Sequence, residues 1–422
     1  MPEDIHWQKY SARYKTYPLN LDSGEPAPGM VVCIPVYAEP DLIITLDSLL
    51  ACELPDTHVE VILLFNKSNR MTEAEAEIHH DAWRTSLAWI NTNERQGIKF
   101  RSVFLEELPD PKGGVGWARK IVLDEAARLL SQDGTMLCLD SDCTVAQNYL
   151  KVVYDYFENH PACNAVSIYY EHNLDSLGQD ERNAIIQYEL HLRYLVHAMR
   201  WAGHPFAFQT VGSSMAVRRK GYLAHGGMNT RQAGEDFYFL QKFIEVDSLQ
   251  EIRNTTVYPS ARISDRVPFG TGRAMSQLLP GNTAWLTADF NVFMLIKPLL
   301  YQTDELRKLL SQSNSDEKFE AGLLKLDVHP DVISFLKQID FEDHCREILL
   351  HTSTYANFRR RFFRYFNSFM MIRYMHYMRD QFFPDAPIER AANEMSQIAY
   401  ADTAPGASAE EILVHFRQLD RQ

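Results

Sequence analysis

Residues 30–37 read MVVCIPVY, and this short apolar run decides the fold class. Such runs are typical of strands that are buried on both faces of a parallel sheet. Helical stretches follow this run and alternate with later strands, so we predict an α/β fold with a mixed, mostly parallel sheet flanked by helices. The further predicted strands are VEVILLF (59–65), IKFRSVFL (98–105), TMLCLD (135–140), AVSIYY (165–170) and FQTVGSSMAV (208–217).

The rest of the chain divides around this strand-rich region. Residues 1–29 end in the turn-rich stretch SGEPAPG and are predicted to form an N-terminal arm. Residues 30–280 contain the α/β pattern. Residues 281–422 show helical patterns and no strand signal, so we predict an α-helical C-terminal region.

Composition limits the classes of partner. Against 56 Asp and Glu the chain has only 42 Lys and Arg, which gives a net charge of −14 at pH 7. Nucleic-acid binding needs clustered basic side chains, so we expect no nucleic-acid partner.

The six cysteines form no CxxC pair. We find no secretory signal and no apolar run near the roughly 20 residues that span a bilayer. These features predict a cytoplasmic protein with reduced thiols.

Asp140 and Asp142 are the first candidate site residues. They stand one residue apart at the carboxyl end of a predicted buried strand, the edge at which α/β sheets bind ligands. Carboxylate oxygens suit Mg²⁺ or Mn²⁺, which commonly takes a nucleotide diphosphate as a further partner. A solvated turn is the alternative for an isolated Asp-x-Asp, and the preceding buried strand favours the metal site.

A second acidic candidate is Gly234-Glu235-Asp236, which opens the helical pattern FYFLQKFI. Acidic residues are common and stabilising at helix N-termini, so a cap explains this segment without any chemistry. Alternatively, an ionised carboxylate here is a general base for a nucleophilic hydroxyl. The segment alone leaves both interpretations open.

Gly113-Gly114-Val115-Gly116 precedes a predicted helix whose first turn carries Arg119 and Lys120. Glycines at a helix N-terminus let backbone N–H groups approach an anion, and the nearby cations add to this attraction. An ordinary loop at the start of a helix explains GGVG equally well.

Arg262, Arg266 and Arg273 bracket the glycine-containing turn PFGTG. Three guanidinium groups around such a turn can bind an anion. Incidental arginines in a solvated loop are the alternative, and the acidic character of the chain favours the anion site.

Residues 359–383 interleave arginines with large apolar side chains. Such a segment can lie on an anionic membrane surface or bind a lipid-like acceptor. A core helix whose arginines extend outward to solvent is the favoured alternative.

The ordered set of motifs resembles the family 2 glycosyltransferases of the GT-A fold over about residues 30–260. Asp-x-Asp alone is a weak signal, whereas the ordered set is a strong one. The resemblance implies that a sugar, of the hexosyl type, moves from a nucleotide-diphosphate sugar to an acceptor hydroxyl with inversion and with Mg²⁺ or Mn²⁺. The matching segments are IPVYAEP (34–40), VEVILLFNKS (59–68), GWARK (116–120), CLDSD (138–142), VGSSMAVRR (211–219), GGMN (226–229) and GED (234–236).

The resemblance also implies roles for individual residues. Asp236 matches the general base, and Glu235 is expected to orient Asp236 or the acceptor. Asp140 and Asp142 match the Asp-x-Asp that holds ribose and metal. Arg262 and Arg266 are added as donor contacts because of their charge. The full set of expected donor contacts is Pro35, Tyr37, Glu39, Asn66, Arg119, Asp140, Arg262 and Arg266.

Two departures from the family pattern limit what the resemblance implies. Phe65 stands where the family often has an Asp, and Lys120 replaces the usual Asn, so the nucleobase is open between UDP- and GDP-sugars. The Gln-x-x-Arg-Trp motif of processive membrane synthases is not visible, which favours a single transfer. The acceptor (glycan, lipid-linked or small molecule), the oligomeric state and peripheral contact with the cytoplasmic membrane face are left open.

Two rival functions remain at this point. A nucleotidyltransferase would need a glycine-rich signature after the first strand, where this chain has PVYAEP (35–40). A non-catalytic nucleotide- or glycan-binding protein on the same scaffold is the other alternative. Intact Asp140, Asp142 and Asp236 favour the enzyme.

Overall fold

The computed structural model describes residues 4–22, 26–69, 71–108, 114–175, 177–263, 270–279, 284–313, 315–400 and 406–422. The chain forms two compact units. The first consists of Met1–Glu181, Thr210–Gln277 and Asp420–Gln422, and the second consists of Arg182–Gln209 and Leu278–Leu419.

The first unit is built on an eight-stranded sheet with the strand order β3-β2-β1-β4-β7-β6-β8-β5. Pairs β1–β2, β2–β3, β1–β4 and β6–β8 are parallel, and the other three are antiparallel. The predicted mixed sheet flanked by helices is therefore confirmed. Its strands are β1 (Met30–Val36), β2 (Val59–Asn66), β3 (Ile98–Leu105), β4 (Thr135–Cys138), β5 (Thr144–Val145), β6 (Ala165–Tyr170), β7 (Met215–Arg218) and β8 (Leu249–Tyr258).

Helices surround this sheet and make up most of the second unit, as the helical pattern after residue 281 predicts. A short antiparallel pair, β9 (Leu286–Thr287) with β10 (Ala386–Pro387), also lies in the second unit. The helices are α1 (Ile5–Arg13), α2 (Leu42–Leu50), α3 (Glu73–Thr92), α4 (Val115–Leu129), α5 (Tyr149–Asn159), α6 (Gln179–Trp201), α7 (Arg219–Ala224), α8 (Glu235–Ile244), α9 (Thr271–Leu278), α10 (Phe290–Tyr301), α11 (Thr303–Gln312), α12 (Asp316–Lys325), α13 (Pro330–Gln338), α14 (Phe341–Leu350), α15 (Tyr355–Tyr365), α16 (Ser368–Gln381), α17 (Ile388–Ala399) and α18 (Ala409–Asp420).

Strands β1 and β2 are buried along their whole length, because the sheet packs helices on both faces. Their parallel register pairs Met30 with Val59 and Val36 with Phe65. The carboxyl ends of β1, β2, β3 and β4 therefore meet at one edge of the sheet. This edge is where the loops with the candidate site residues begin.

The predicted strand 208–217 is shorter in the structure. Only Met215–Arg218 forms β7, and residues 208–214 form turns and irregular backbone. The apolar run suggested a longer strand, but Gly212 lies against the side chains of Arg119 and Asp236. Residues 211–214 form a turn there, closed by a hydrogen bond from the Ser214 N–H to the Val211 carbonyl oxygen at 2.9 Å, so the ladder begins at Met215. The prediction of a strand over all ten residues is therefore wrong.

Helix α3 shows how local sequence sets an element boundary. Thr72 Oγ1 accepts a hydrogen bond from the Glu75 N–H at 3.2 Å, and the Glu75 carboxylate accepts one from the Thr72 N–H at 2.8 Å. This capping box satisfies two backbone donors that a helix start leaves free. The helix runs from Glu73 to Thr92.

The N-terminal residues pack tightly onto the first unit through buried polar groups. Tyr10 is 3% exposed, and its hydroxyl donates to Asp124 Oδ1 at 2.7 Å. Lys120 Nζ donates to the Tyr10 hydroxyl at 3.0 Å and to Asp124 Oδ2 at 2.8 Å, and the Tyr222 hydroxyl donates to Asp124 Oδ1 at 2.7 Å. A buried network therefore joins α1, α4 and α7.

In the second unit, α15 carries the start of the basic aromatic segment 359–383. Phe358, Phe362 and Phe363 are buried, whereas Arg359–Arg361 and Arg364 are exposed. The aromatic face belongs to the core and the arginines face solvent, as the core-helix interpretation predicts. Within the part of the chain that the structure describes, no helix combines the length and apolar character needed to cross a membrane.

Candidate active site

The candidate site lies at the sheet edge where β1, β2 and β4 end. Asp140 and Asp142 follow β4, Asn66 ends β2, and Arg119 lies in the second turn of α4. Strand β7 is antiparallel to β4, so the residues before it, including Gly212, reach the same edge. Ligands of open α/β sheets bind beyond this edge.

Arg119 is the centre of a first charged cluster. Its side chain is 3% exposed, and its Nη2 donates to Asp140 Oδ1 at 2.5 Å while its Nη1 donates to Glu235 Oε1. Burial alone would lower the pKa of Arg119, but the charges of Asp140, Glu235 and Asp236 outweigh burial and raise it. The guanidinium therefore stays charged between three carboxyl groups.

Glu235 and Asp236 begin α8 on the other side of Arg119. Burial raises the pKa of Glu235 to about 7 against the lowering effect of Arg119, and burial also raises the pKa of Asp236. Asp236 is half-buried and accepts hydrogen bonds from the backbone N–H groups of Phe237, at 2.7 Å, and Gly212. A carboxyl group whose pKa moves towards neutrality suits general-base chemistry.

Gly212 fits between these side chains because it has no Cβ. A Cβ at this position would lie 2.6 Å from Arg119 Nη1 and 2.9 Å from Asp236 Oδ2. Both distances are well inside van der Waals contact. The VGSS segment therefore contributes space and a backbone donor to the cluster.

A second cluster surrounds Arg262. Its Nη1 donates to Glu39 Oε1 at 2.5 Å, its Nη2 donates to Glu39 Oε2, and Nη2 lies 3.4 Å from Asp142 Oδ2. Glu39 is fully buried and Arg262 is 25% exposed. Burial would lower the pKa of Arg262, but Glu39 and Asp142 raise it. Asp140 and Asp142, one residue apart, therefore join the two clusters.

The remaining predicted donor contacts lie at the ends of β1 and β2. Pro35 is buried inside β1 and pairs in register with Leu64. Tyr37, directly after β1, is half-buried, and Asn66 is 6% exposed. These residues are on the predicted edge of the sheet, and their contact with a donor stays a prediction.

The glycine-rich and arginine-rich segments are only partly described. Gly116 faces backbone, since a Cβ there would lie 2.1 Å from the Arg231 carbonyl oxygen. Close packing against this loop accounts for Gly116 without an anion. Arg273 is exposed on α9. Gly113 and Arg266 lie outside the described residues.

Sequence reasoning missed two residues that support the clusters. Asn229 Nδ2 donates to the Glu235 carbonyl oxygen at 2.8 Å, and its signal was already present in the GGMN segment. His79 Nδ1 accepts a hydrogen bond from the Ala38 N–H at 3.1 Å. A histidine inside an amphipathic helix gives no such signal, because the contact depends on how α3 packs against the loop after β1.

Asp140 and Asp142 fit a divalent cation that is shared with a ligand. Their side chains are 41% and 31% exposed, and Arg119 bonds to one oxygen of Asp140. Among the described residues, no group of three or more His, Cys, Asp or Glu side chains is arranged to hold a metal ion alone. Mg²⁺ usually needs only one or two carboxylates when substrate phosphates complete its shell, so this donor set is sufficient.

The solved structures that are similar to this chain include the two described here. Residues 1–349 of S. aureus TarS, in complex with UDP-GlcNAc, are 15% identical with a TM-score of 0.38, and the match covers 78% of this chain and 89% of that chain. Glucosyl-3-phosphoglycerate synthase from Mycobacterium tuberculosis, in complex with phosphoglyceric acid, is 18% identical with a TM-score of 0.34 and coverages of 64% and 80%.

One family profile matches part of the chain in sequence. A search of curated protein sequences found no match. The family profile described as Glycosyl transferase family 2 matches residues 31–222, which include β1, Arg119, Asp140, Asp142 and Gly212. Over this segment, which is a little less than half of the chain, the sequence is similar to glycosyl transferase family 2.

Proposed function

We propose that this protein is an inverting glycosyltransferase that moves a sugar, of the hexosyl type, from a nucleotide-diphosphate sugar to an acceptor hydroxyl. One observation carries the proposal: buried Arg119 bonds to both Asp140 and Glu235, with Asp236 beside them. The family match supports a transferase of this kind. The bonds and charges around these residues support the individual roles.

Asp236 is the proposed general base. Its carboxylate removes the proton from the acceptor hydroxyl while that oxygen attacks the anomeric carbon of the donor. The bond from this carbon to the diphosphate oxygen breaks on the opposite face, which inverts the configuration. The backbone N–H groups of Phe237 and Gly212 hold the carboxylate in place. The charge of Arg119 acts to lower the pKa of Asp236, which favours its ionised form.

The diphosphate of the donor is proposed to be bound through Asp140, Asp142 and Arg262. Asp142 and the Asp140 oxygen that Arg119 leaves available would hold Mg²⁺ or Mn²⁺. When bound, this cation supplies positive charge beside the leaving diphosphate, where negative charge develops. Arg262 is partly exposed next to Asp142 and adds to this charge. Arg119, 3% exposed, would act on the donor by orienting Asp140.

We also propose that the protein is cytoplasmic and that it binds peripherally to the cytoplasmic face of the membrane. Residues 351–379 contain six arginines and no Asp or Glu, in a chain of net charge −14. Leu350, just before this segment, is 83% exposed. Basic side chains near an apolar one favour binding to anionic lipid. Flotation with vesicles containing phosphatidylglycerol, and not with phosphatidylcholine alone, is expected; no flotation with either contradicts this proposal.

A thermal-shift panel with UDP-, GDP-, dTDP- and CMP-sugars, with and without Mn²⁺, tests the function. A ligand at 100 times its Kd adds about 2.7 kcal/mol of stability, which is readily seen as a higher melting temperature. We expect a Mn²⁺-dependent shift with one nucleotide class, and a smaller shift for Asp142→Ala. A nucleotidyltransferase would instead respond to a nucleoside triphosphate.

Product analysis separates the transferase from its non-catalytic rival. With the nucleotide-sugar that binds, the wild-type protein is expected to release nucleoside diphosphate when an acceptor is supplied. Binding without such release from a broad set of glycan, lipid-linked and small-molecule acceptors would support a binding protein on the same scaffold.

A further inference from the structure

Ala38 has a backbone conformation that is unfavourable for its residue type. It follows Tyr37 after β1, and its φ of 45° lies in the left-handed region. For residues with a Cβ this region is costly, and such residues persist only where their surroundings hold them. Glycine adopts the same conformation freely. The structure must therefore contain a group that holds Ala38 in place.

His79 is that group. It is fully buried on α3, and its Nδ1 accepts a hydrogen bond from the Ala38 N–H at 3.1 Å. A ring nitrogen that accepts must carry no proton, so the proton of the neutral ring is on Nε2. Burial, together with His80 and Lys67, lowers the pKa of His79 to about 4. The ring is therefore neutral at physiological pH, and Nδ1 stays an acceptor.

The packing of His79 limits its ring to one place. The ring centroids of Phe65 and Phe104 lie 5.4 and 5.3 Å from that of His79. No hydrogen-bond partner for Nε2 is present in the described structure. A phenylalanine or leucine of similar size would fill the same space, but it would not accept the hydrogen bond from the Ala38 N–H.

The residue after Ala38 connects this turn to the candidate site. Glu39 is fully buried and accepts a hydrogen bond from the Asp41 N–H at 3.1 Å as well as both bonds from Arg262. Arg262 in turn lies 3.4 Å from Asp142. A change in the backbone of Ala38 would move Glu39 and, with it, the guanidinium beside Asp142.

We propose that His79 is a positioning residue: it holds the turn of residues 37–39 so that Glu39 fixes Arg262 beside Asp142 for binding a nucleoside diphosphate. The last step, but not the first, rests on the proposed function. The first step concerns the backbone alone and can be measured without any ligand.

Amide hydrogen exchange of residue 38 tests the first step. Against the wild type, His79→Leu is expected to speed exchange at residue 38 at least tenfold, because the acceptor is lost. His79→Asn, which can place an amide oxygen near the position of Nδ1, is expected to preserve most of the protection. Unchanged exchange in His79→Leu would overturn the proposal, since the bond would then not hold the turn.

Nucleotide affinity tests the second step. Kd is measured for UDP and for GDP, each with Mn²⁺, and the nucleotide that binds the wild type is used for the variants. His79→Leu is expected to weaken binding about tenfold, in line with one lost hydrogen bond and a relaxed turn. His80→Leu is the matched control, since His80 is the next residue on α3 and stacks on Phe104. It is expected to bind like the wild type.

A double variant distinguishes conformation from packing. In Ala38→Gly/His79→Leu, glycine adopts the left-handed turn without help, so Kd should return to within about threefold of wild type. Exchange at residue 38 should stay fast. If affinity does not recover, a packing defect explains the loss and the turn mechanism is wrong. If exchange speeds up in His79→Leu but Kd is unchanged, the link to the donor is wrong. If the wild type binds neither nucleotide, the second step fails, exchange still decides the first step, and the wider panel of nucleotide-sugars decides the proposed function.

Discussion

Arg119 and Lys120 are neighbours on α4, and each is the cation of a buried cluster. Arg119 is 3% exposed and contacts Asp140 and Glu235 at the sheet edge. Lys120 is 9% exposed and contacts Asp124 and Tyr10 beneath the N-terminal arm. By burial and charge alone, the two clusters look equivalent.

The carboxylates of the two clusters differ in how much of each is available to bind a ligand. The Asp124 side chain is 2% exposed, and its oxygens already accept bonds from Lys120, Tyr10 and Tyr222. Asp140, in contrast, is 41% exposed and keeps an oxygen that Arg119 does not bind. A saturated buried pair is structural, whereas a cluster with an accessible carboxylate is available for chemistry. This contrast, and not burial of charge, is the reason for proposing that the site lies around Arg119.

The largest expected effect comes from Asp236→Asn. Removing the proposed base should lower kcat about 10³-fold, within the usual range for general-base catalysis. Nucleotide affinity should stay within about threefold, and the melting temperature should not fall, because a carboxyl whose pKa is raised in the folded protein is replaced by a neutral group. Initial rates, calorimetric titration and thermal melts measure the three quantities. Turnover like that of the wild type would discard Asp236 as the base.

Asp124→Asn makes the same change in the other cluster. It leaves the charge of Lys120 buried without its carboxylate, and breaking such a pair costs about 3 kcal/mol of unfolding free energy. Denaturant unfolding measures this loss. Turnover per folded molecule, at a temperature where the variant is fully folded, should stay near wild type. A large fall in kcat with normal stability would contradict the division into a structural and a chemical cluster.

The pH dependence gives a smaller effect with a defined sign. The proposed base must be ionised, and burial raises the pKa of Asp236, so kcat/KM should begin to fall at a pH above the ordinary aspartate pKa of 3.8. The free energy of unfolding changes with pH in the opposite direction. A carboxyl whose folded pKa lies above its ordinary value of 4.5 contributes stability below that value, and the contribution is lost as pH rises towards 7.

Glu235→Gln isolates this stability effect. The variant should match the wild type near pH 5, where Glu235 is protonated, and become the more stable of the two as pH rises through 7. Thermal melts at both pH values measure the difference. A constant difference across this range would mean that Glu235 does not titrate there.

The sequence was sufficient for one of the two clusters on α4. Asp140, Arg119 and Glu235 lie in short motifs whose order along the chain predicts both the sheet and the residues at its edge. Lys120 appeared as a cation beside a candidate anion loop and as a departure from the family pattern, and neither observation indicates its partners Asp124 and Tyr10. Its partner Tyr10 is 110 residues away, and no local pattern predicts a contact over that separation.

Other features escaped prediction for related reasons. Strand β8 reads LQEIRNTTVY, which lacks the continuous apolar run of β1 and β2 because its exposure varies along its length. The shortening of the strand at 208–217 depends on the side chains that Gly212 faces. In the second case, the contact with Arg119 comes from a distant part of the chain.

The N-terminal network has a consequence for how fragments of this protein would behave. The family match begins at residue 31, which invites cutting the chain there. Such a fragment would lose the Tyr10 hydroxyl that caps Lys120 and Asp124, and it would also lose Asp4, which pairs with Arg219. Water would then reach the charged groups of Lys120, Asp124 and Arg219, and Lys120 is the neighbour of Arg119 on α4. The smallest fragment that retains the natural environment of the site therefore starts at or before Asp4.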